Sequence, residues 1–317
     1  MCTCRRGWIL HHLSPAKWYH ADTCSVTVII RMRHPESKAA KKKNAAGVAH
    51  ETTLVIQGEV YSNYRQQRRT FPWRHTANPY HILVSEFMLQ QTQTKRVMGK
   101  YEEFIAWFPD LATLASANLQ SVLRAWQGLG YNRRAVSLKE TAVRVIEEHD
   151  GRLPDDLDEL MRLPGIGRST AGAILAFAYG IPVPFIETNI RRVFIHFFFS
   201  EREDVKDSEI LPLVEQTLDR ENPRDWYYAL MDYGAMLKTK LPNPNRKSAH
   251  YTRQAPFEGS NRQIRGKILK LLLSSGSLHE NELIGKLNGD PSRLRTILRE
   301  MVRDGFVRSD SGTVSIR

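Results

Sequence analysis

The amino-acid sequence predicts a mainly α-helical protein with a small mixed domain at its C-terminal end. Through most of residues 79–304, apolar residues recur at the three- and four-residue spacing of amphipathic helices. Two Gly-x-Gly turns, Gly128–Gly130 and Gly165–Gly167, interrupt this pattern, because paired glycines are unfavourable inside a helix. The end of the chain carries instead the signature of a β-hairpin around Ser309–Gly312.

The composition is that of a globular protein with a polyanionic partner. The 317 residues are 41% hydrophobic and 25% charged, and the net charge is +12. Residues 1–55 carry six surplus positive charges and residues 259–317 carry five, which leaves the middle of the chain nearly neutral. Contacts of the middle with a polyanion would therefore come from placed groups rather than from bulk charge.

Residues 1–55 are predicted to form a basic, disordered leader. They include the polar stretch Lys38–Gly47 and all three cysteines, Cys2, Cys4 and Cys24. The irregular spacing of Cys and His there is not that of a zinc module, and it predicts no disulfide framework. Because the apolar runs are too short to cross a bilayer and no secretory signal is present, we expect a cytoplasmic, nucleoid-associated protein without membrane contact.

A helix is predicted from Pro79 through Thr94, with the proline in its first turn. On this helix Glu86 shares a polar line with Gln90 and Gln93, beside apolar neighbours. A carboxyl group backed by apolar side chains tends to have a raised pKa and to keep its proton near neutral pH. A solvated surface glutamate explains the same pattern.

The two Gly-x-Gly turns follow predicted helices. Leu163–Gly167 joins two short helices and would leave backbone N–H groups free to bind a phosphate. An ordinary helix C-cap without a ligand is the alternative. Gly128–Gly130 ends a helical stretch predicted over Ala106–Gln127 and is followed by Tyr131, which could be a simple capping aromatic.

Three more helices are predicted over Ile264–Leu272, Leu278–Leu287 and Pro291–Asp304, followed by the β-hairpin. This is the pattern of a winged-helix domain, whose third helix would offer four arginines to a DNA groove. A packing or partner domain with a solvated basic face is the alternative. The arginines are Arg293, Arg295, Arg299 and Arg303.

Six ordered segments resemble the helix-hairpin-helix (HhH-GPD) DNA glycosylase superfamily, and within it the clusterless MutY-type, A/G-specific adenine glycosylases. The resemblance covers about half of the chain. It implies a two-lobed helical glycosylase domain over residues 56–258, followed by the winged-helix-like domain over residues 259–317. The segments are FPWR (Phe71–Arg74), PYHILVSEFMLQQTQT (Pro79–Thr94), WQGLGYNRRA (Trp126–Ala135), LPGIGRSTAGAI (Leu163–Ile174), FIETNIRRV (Phe185–Val193) and ALMDYGAM (Ala229–Met236).

The resemblance implies catalytic roles for three residues. Glu86 takes the position of the general acid/base, and Glu187 that of the carboxylate that stabilises positive charge on the deoxyribose. Because the superfamily has Asp at the second position, the extra methylene would move the carboxyl by roughly 1 Å, which can cost about 100-fold in rate. Asn189 would orient the catalytic carboxylate.

The resemblance also implies DNA contacts. Ser169 stands where bifunctional members have the lysine that attacks the sugar, so we expect base hydrolysis without AP-lyase activity. Tyr131 would wedge into the duplex beside the target base, which must be flipped out to be reached. Arg192 would bond a phosphate or remain a surface charge. Further expected contacts are Gln90, Gln91 and Thr92, beside the partner of the extruded base, and Gly165, Ile166 and Gly167 of the turn.

No [4Fe–4S] cluster is expected. Most relatives carry four cysteine ligands after the segment that ends at Met236, whereas this chain has no cysteine after Cys24. The sequence leaves open whether a monovalent or divalent cation binds at the Leu163–Gly167 turn. Adenine glycosylases specific for 8-oxoguanine mispairs usually carry a nudix-like C-terminal domain, and the winged-helix pattern found instead weakens that substrate assignment.

These observations predict a monofunctional base excision repair glycosylase that flips a mispaired base, with adenine favoured, and hydrolyses its N-glycosidic bond. We expect double-stranded DNA as the partner of a monomer, with downstream repair proteins as further candidates. Two alternatives stay open. The same fold would remove a pyrimidine derived from cytosine, uracil or thymine, or the chain would bind DNA structures without catalysis.

Overall fold

The computed structural model describes Val48 and residues 50–317 of the chain. The predictions for the leader, including its cysteines, fall outside the described residues except at its last positions, where the first helix begins at His50. The helices described before residue 258 are α1 (His50–Gln67), α2 (Pro79–Leu89), α3 (Thr94–Trp107), α4 (Leu111–Ser116), α5 (Leu119–Ala125), α6 (Arg133–Glu148), α7 (Leu157–Arg162), α8 (Arg168–Ile174), α9 (Thr188–Phe198), α10 (Asp207–Gln216) and α11 (Pro223–Lys240). A π-helical turn, Leu175–Tyr179, directly follows α8, and 3₁₀ turns lie at Pro72–His75 and Pro244–Lys247.

Helix α2 lies at the centre of the core. Ile82, Leu83, Val84 and Phe87 have no exposed surface, so that the helix is apolar on nearly every side. It begins where Asn78 accepts hydrogen bonds from the first free backbone N–H groups, as an N-cap does. A helix packed on most sides leaves few positions for a polar side chain to reach solvent.

The prediction of one helix through Thr94 is wrong, because α2 ends at Leu89 and α3 begins at Thr94. Between them Gln91 adopts a left-handed backbone conformation with φ of 54°. The helix predicted over Ala106–Gln127 is also divided, since Asp110 and Asn118 cap the new helices α4 and α5. Each cap begins a new helix at a point where the apolar periodicity alone predicts that one helix continues.

The C-terminal part has the predicted three helices and hairpin, with one additional strand. The hairpin turn has positive φ at Ser311 (47°) and Gly312 (78°), as a two-residue turn between antiparallel strands requires. The added strand pairs with the last one and gives an antiparallel sheet of order β1-β3-β2. The elements are α12 (Asn261–Ser275), β1 (Ser277–His279), α13 (Glu280–Leu287), α14 (Pro291–Arg303), β2 (Val307–Asp310) and β3 (Thr313–Ile316).

None of the helices described between residues 50 and 303 is both long and apolar enough to span a bilayer.

Candidate active site

Glu86 is a partly exposed polar residue of α2, between buried Ser85 and Phe87. Burial and, as a smaller cause, the nearby charge of Glu187 together raise the pKa of its carboxyl to about 8. Among the described residues, none donates a hydrogen bond to the Glu86 carboxyl that would favour its charged form. The group therefore carries a proton at neutral pH, as an acid catalyst must.

Glu187 is held in place as the N-cap of α9. Its Oε1 accepts hydrogen bonds from the backbone N–H groups of Asn189 at 2.7 Å and Ile190 at 3.0 Å. Its Oε2 accepts from the side-chain amide of Asn189 at 3.2 Å. Burial raises the pKa of Glu187, while these hydrogen bonds and the charge of Arg192 oppose that rise. The helix N-terminus supplies further positive potential for the carboxylate.

Arg192 lies behind Glu187 and is 3% exposed. Its Nη1 donates to Asn189 Oδ1 at 2.7 Å and to the carbonyl oxygen of Gly234 at 2.6 Å. Its Nε donates to Asn243 Oδ1 at 3.0 Å. The side chain expected at a DNA phosphate or on the helix surface is thus inside the protein, where it fixes the amide that bonds to Glu187.

The segment Ala229–Met236 of α11 contacts the site through Gly234. A Cβ atom at this position would lie 2.4 Å from the backbone oxygen of Asn189, closer than real contacts allow. Only glycine lets α11 approach the first turn of α9 so closely. Two residues earlier on α11, Asp232 accepts from the buried Arg74 at 2.8 and 2.9 Å, which ties the FPWR segment to the same helix.

Arg134 closes the C-terminal end of α2. Its Nη1 donates to the carbonyl oxygens of Phe87, Met88 and Gln90 at 2.7–2.8 Å. The carbonyls of Phe87 and Met88 have no partner inside α2, so the guanidinium ends this helix, and its bond to Gln90 shapes the turn that follows. Burial lowers the pKa of Arg134 to about 10. We did not predict this role, because nothing in the sequence pairs an arginine with carbonyl oxygens more than forty positions away.

The turn Leu163–Gly167 joins α7 to α8, as predicted. Gly165 has φ of 77°, and a Cβ there would lie 2.8 Å from Cβ of Ser137, so the position requires glycine. Gln90 Nε2 donates to the Gly165 carbonyl oxygen at 3.3 Å and to Thr170 Oγ1 at 3.2 Å. Gln90 thus connects the end of α2 to the turn. Gly165 and Gly167 are exposed, Ile166 is buried, and Ser169 is partly exposed in the first turn of α8.

Tyr131 follows the other Gly-x-Gly turn with φ of 47°. Its hydroxyl accepts a hydrogen bond from Arg262 Nη1 of the C-terminal part at 2.7 Å. Gln91 is exposed, and Thr92 Oγ1 accepts from Arg134 at 3.0 Å. The structure thus brings the two glutamates and Asn189 to one site, places Tyr131 and Gln91 at a neighbouring cleft, and buries Arg192.

Within the described residues, no group of three or more His, Cys, Asp or Glu side chains could hold a metal ion.

Comparison with known proteins identifies related chains. The family model of the HhH-GPD superfamily base excision DNA repair proteins matches residues 84–213. An adenine DNA glycosylase of Mycolicibacterium smegmatis is 35% identical over 267 residues, which cover 78% of this chain and 91% of the relative. An adenine DNA glycosylase of Mycobacterium tuberculosis is 34% identical, over 66% of this chain and 75% of the relative. The solved structure of a thermostable thymine-DNA glycosylase matches with a TM-score of 0.55 and 26% identity, over 62% of this chain and 92% of that one.

Proposed function

The chain belongs to the HhH-GPD superfamily of base excision DNA repair proteins, among the adenine DNA glycosylases, and we propose that it removes mispaired adenine from duplex DNA by hydrolysis. One observation carries this proposal. Glu86, a carboxyl that keeps its proton, lies within electrostatic range of Glu187, a carboxyl held by three hydrogen bonds. Two carboxyl groups in different protonation states are what an oxocarbenium-like hydrolysis requires.

The first step is departure of the base. Glu86 donates its proton to a ring nitrogen of the flipped base, so that the base leaves as a neutral molecule when the N-glycosidic bond breaks. The bond electrons stay with the base, and C1′ of the deoxyribose becomes positively charged. Glu187 is pre-positioned to stabilise that charge, because Asn189 and the α9 N-terminus hold its carboxylate without further rearrangement.

The second step is attack by water. Glu86, now a carboxylate, accepts a proton from a water molecule as its oxygen bonds to C1′, which restores the acid and leaves an abasic site. Ser169 has no amine with which to form a Schiff base, so the sugar is not attacked by the protein and the strand stays intact. This supports a monofunctional glycosylase without AP-lyase activity.

We propose that the exposed glycines of the Leu163–Gly167 turn and the start of α8, with Ser169, bind a DNA phosphate. Gln91 and Tyr131 would enter the duplex, whereas Gln90, Thr92 and Arg192 act through the residues that they position. Residues 56–258 then form the glycosylase domain of a monomer that acts on the nucleoid, and residues 259–317 form a winged-helix-like domain.

A [4Fe–4S] cluster does not fit the stretch after α11, which offers no cysteine ligand. Hydrogen bonds connect this stretch to α9 instead. Asn243 accepts from Arg192, and Asn245 Nδ2 donates to the carbonyl oxygen of Thr188 at 2.8 Å. We propose that these bonds hold the segment in the place of a cluster.

The test is a panel of duplexes, each with one normal, mismatched or damaged base pair, incubated with purified protein. We expect adenine release opposite guanine or oxidised guanine, and strand cleavage only after alkali. Cleavage without alkali would contradict the argument from Ser169, and the absence of release from every duplex would favour a DNA-binding protein without catalysis.

Removal of thymine is the second candidate, favoured by the likeness to a thymine-DNA glycosylase. The same panel distinguishes the two substrate proposals. Release of thymine opposite guanine in preference to adenine would identify thymine as the substrate, and the proposed roles of Glu86 and Glu187 would stay the same.

A further inference from the structure

Tyr228 of α11 carries a buried hydroxyl that has no hydrogen-bond partner among the described residues. The side chain is 2% exposed, its oxygen is closed to solvent, and no atom of the described part of the chain is placed to bond to it. An unpaired polar group inside a protein is unfavourable, so buried hydroxyls normally have a partner. An exception beside the two glutamates needs an explanation in terms of the reaction.

The ring of Tyr228 is held so that its hydroxyl cannot turn away. It stacks on Phe177 of the π-helical turn, with ring centres 4.3 Å apart and planes inclined by 8°. The guanidinium carbon of Arg74 lies 4.4 Å from the ring centre. Arg74 is in turn held by Asp232, one helical turn further along α11. The position of the hydroxyl is therefore set by α11, the FPWR segment and the π-helical turn together.

Glu86 is the only acceptor among the charged groups that act on this phenol. These groups are Arg224 of the same helix, Glu86 of α2 and Arg74. A guanidinium can only donate, and both arginines already donate elsewhere, Arg74 to Asp232 and Arg224 to two backbone carbonyl oxygens. Burial raises the pKa of the phenol, so it keeps its proton wherever Glu86 titrates. The O–H group is thus a permanent donor beside one acceptor.

The two groups differ in their access to the substrate. Glu86 is partly exposed, whereas the phenol oxygen is closed to solvent. A flipped base can therefore reach the carboxyl of Glu86 but not the hydroxyl of Tyr228. Any effect of the hydroxyl on base removal must pass through Glu86.

We propose that Tyr228 is a positioning residue for Glu86, and that its O–H donates to the carboxylate that forms once Glu86 has given its proton to the base. The phenol keeps its own proton throughout, and the bond is released when Glu86 takes a proton from water. The neutral acid does not need this bond, and the three rotatable bonds of glutamate let the carboxylate turn towards the hydroxyl. An interaction that develops only as the proton moves stabilises the transition state more than the ground state. The proposal rests on the proposed function, in which Glu86 is the acid.

The test is Tyr228→Phe, which keeps the stacked ring and removes only the O–H. Single-turnover release should fall roughly tenfold, because a hydrogen bond to a charged group is lost. The alkaline limb of the rate should move up by about one pH unit, since a carboxylate without its donor is less stable and the pKa of Glu86 rises. Tm should stay the same or increase, because the lost oxygen has no partner in the described structure.

Tyr227→Phe is the matched control. It removes a buried phenol oxygen from the next residue of the same helix, but that hydroxyl donates to the carbonyl oxygen of Val183 at 2.7 Å. This variant should have a lower Tm, because the carbonyl loses its partner, while the rate of release and its alkaline limb stay unchanged. The two phenols should therefore respond in opposite ways.

A second measurement needs no catalysis. In protein labelled with ¹³C at the glutamate carboxyls, the Glu86 signal is identified by its loss in Glu86→Gln and titrated without DNA. Tyr228→Phe should raise the midpoint of this titration by about one pH unit, and Tyr227→Phe should leave it in place.

An unchanged midpoint in Tyr228→Phe would overturn the proposal. So would slower release with the limb in place, which would indicate a role in packing alone. If the unaltered protein releases no base from any duplex, the glycosylase proposal fails. The carboxyl titration still decides in that case whether the hydroxyl of Tyr228 bonds to Glu86.

Discussion

The two carboxyl groups of the site differ in what surrounds them. Burial raises the pKa of both, but the three hydrogen bonds received by Glu187 all favour its charged form. Glu86 receives none from the described residues, and the charge of its neighbour opposes its ionisation. The same side chain is therefore prepared to hold a charge on α9 and to carry a proton on α2. The N-terminus of α9 and the amide of Asn189, rather than residue type, distinguish the roles that we propose for the two groups.

The largest effect is expected for Glu86→Gln. Glutamine keeps the size of the side chain but has no proton to donate, and general acid/base catalysis typically contributes about 10²- to 10⁴-fold. Single-turnover base release should fall by that factor while duplex affinity is retained. Glu187→Gln should slow release by about 10²- to 10³-fold and should also retain binding. If Glu86→Gln released the base at an unaltered rate, Glu86 would not be the general acid. That role would then belong to Glu187 or to neither group.

The substitution Glu187→Asp tests whether the site is adapted to the longer glutamate side chain. Aspartate is a good N-cap, so α9 should stay intact, but its carboxyl would be withdrawn by roughly 1 Å. A displacement of that size can cost about 100-fold, and we expect single-turnover release to fall by up to this factor. Faster release by the aspartate variant would show that glutamate is a defect here and not an adaptation.

Gly234→Ala disturbs only the carboxylate that is held in place. The new Cβ would meet the backbone of Asn189 at 2.4 Å, and overpacking of this kind costs about 1–3 kcal/mol. We expect a lower Tm together with roughly tenfold slower release, because Asn189 moves with the backbone.

Gly58→Ala is the matched control for that substitution. Gly58 lies inside α1, and a Cβ there would meet nothing within 4 Å. The control should be neutral or more stable by about 0.5–1 kcal/mol, with release unchanged. If both variants were equally stable and active, the close approach of α11 to α9 would have no part in the site.

The sequence was sufficient to predict the helical class, the Leu163–Gly167 turn, the C-terminal helices and hairpin, and the segments that carry the two glutamates. The first three depend on local patterns, such as apolar periodicity and glycine spacing, whereas the segments of the two glutamates were identified by their resemblance to a known family. The end of α2 could not be predicted, because it depends on Arg134, which reaches it through the tertiary fold. The same holds for Gly234 and for the buried position of Arg192, since a sequence does not tell which helices touch.

The smallest effect is the pH dependence of release near neutrality. The active form of Glu86 is protonated and its pKa is about 8, so the rate should change little from pH 6 to 7, halve near pH 8 and fall about tenfold per unit above it. Because the charge of Glu187 is a secondary cause of this raised pKa, Glu187→Gln should move the residual alkaline limb to lower pH. Single-turnover rates between pH 6 and 9.5 measure both profiles, with duplex affinity followed in parallel as the control. A limb that stays in place in Glu187→Gln would mean that burial alone sets the pKa of Glu86. The two carboxyl groups would then share a substrate without influencing each other's ionisation.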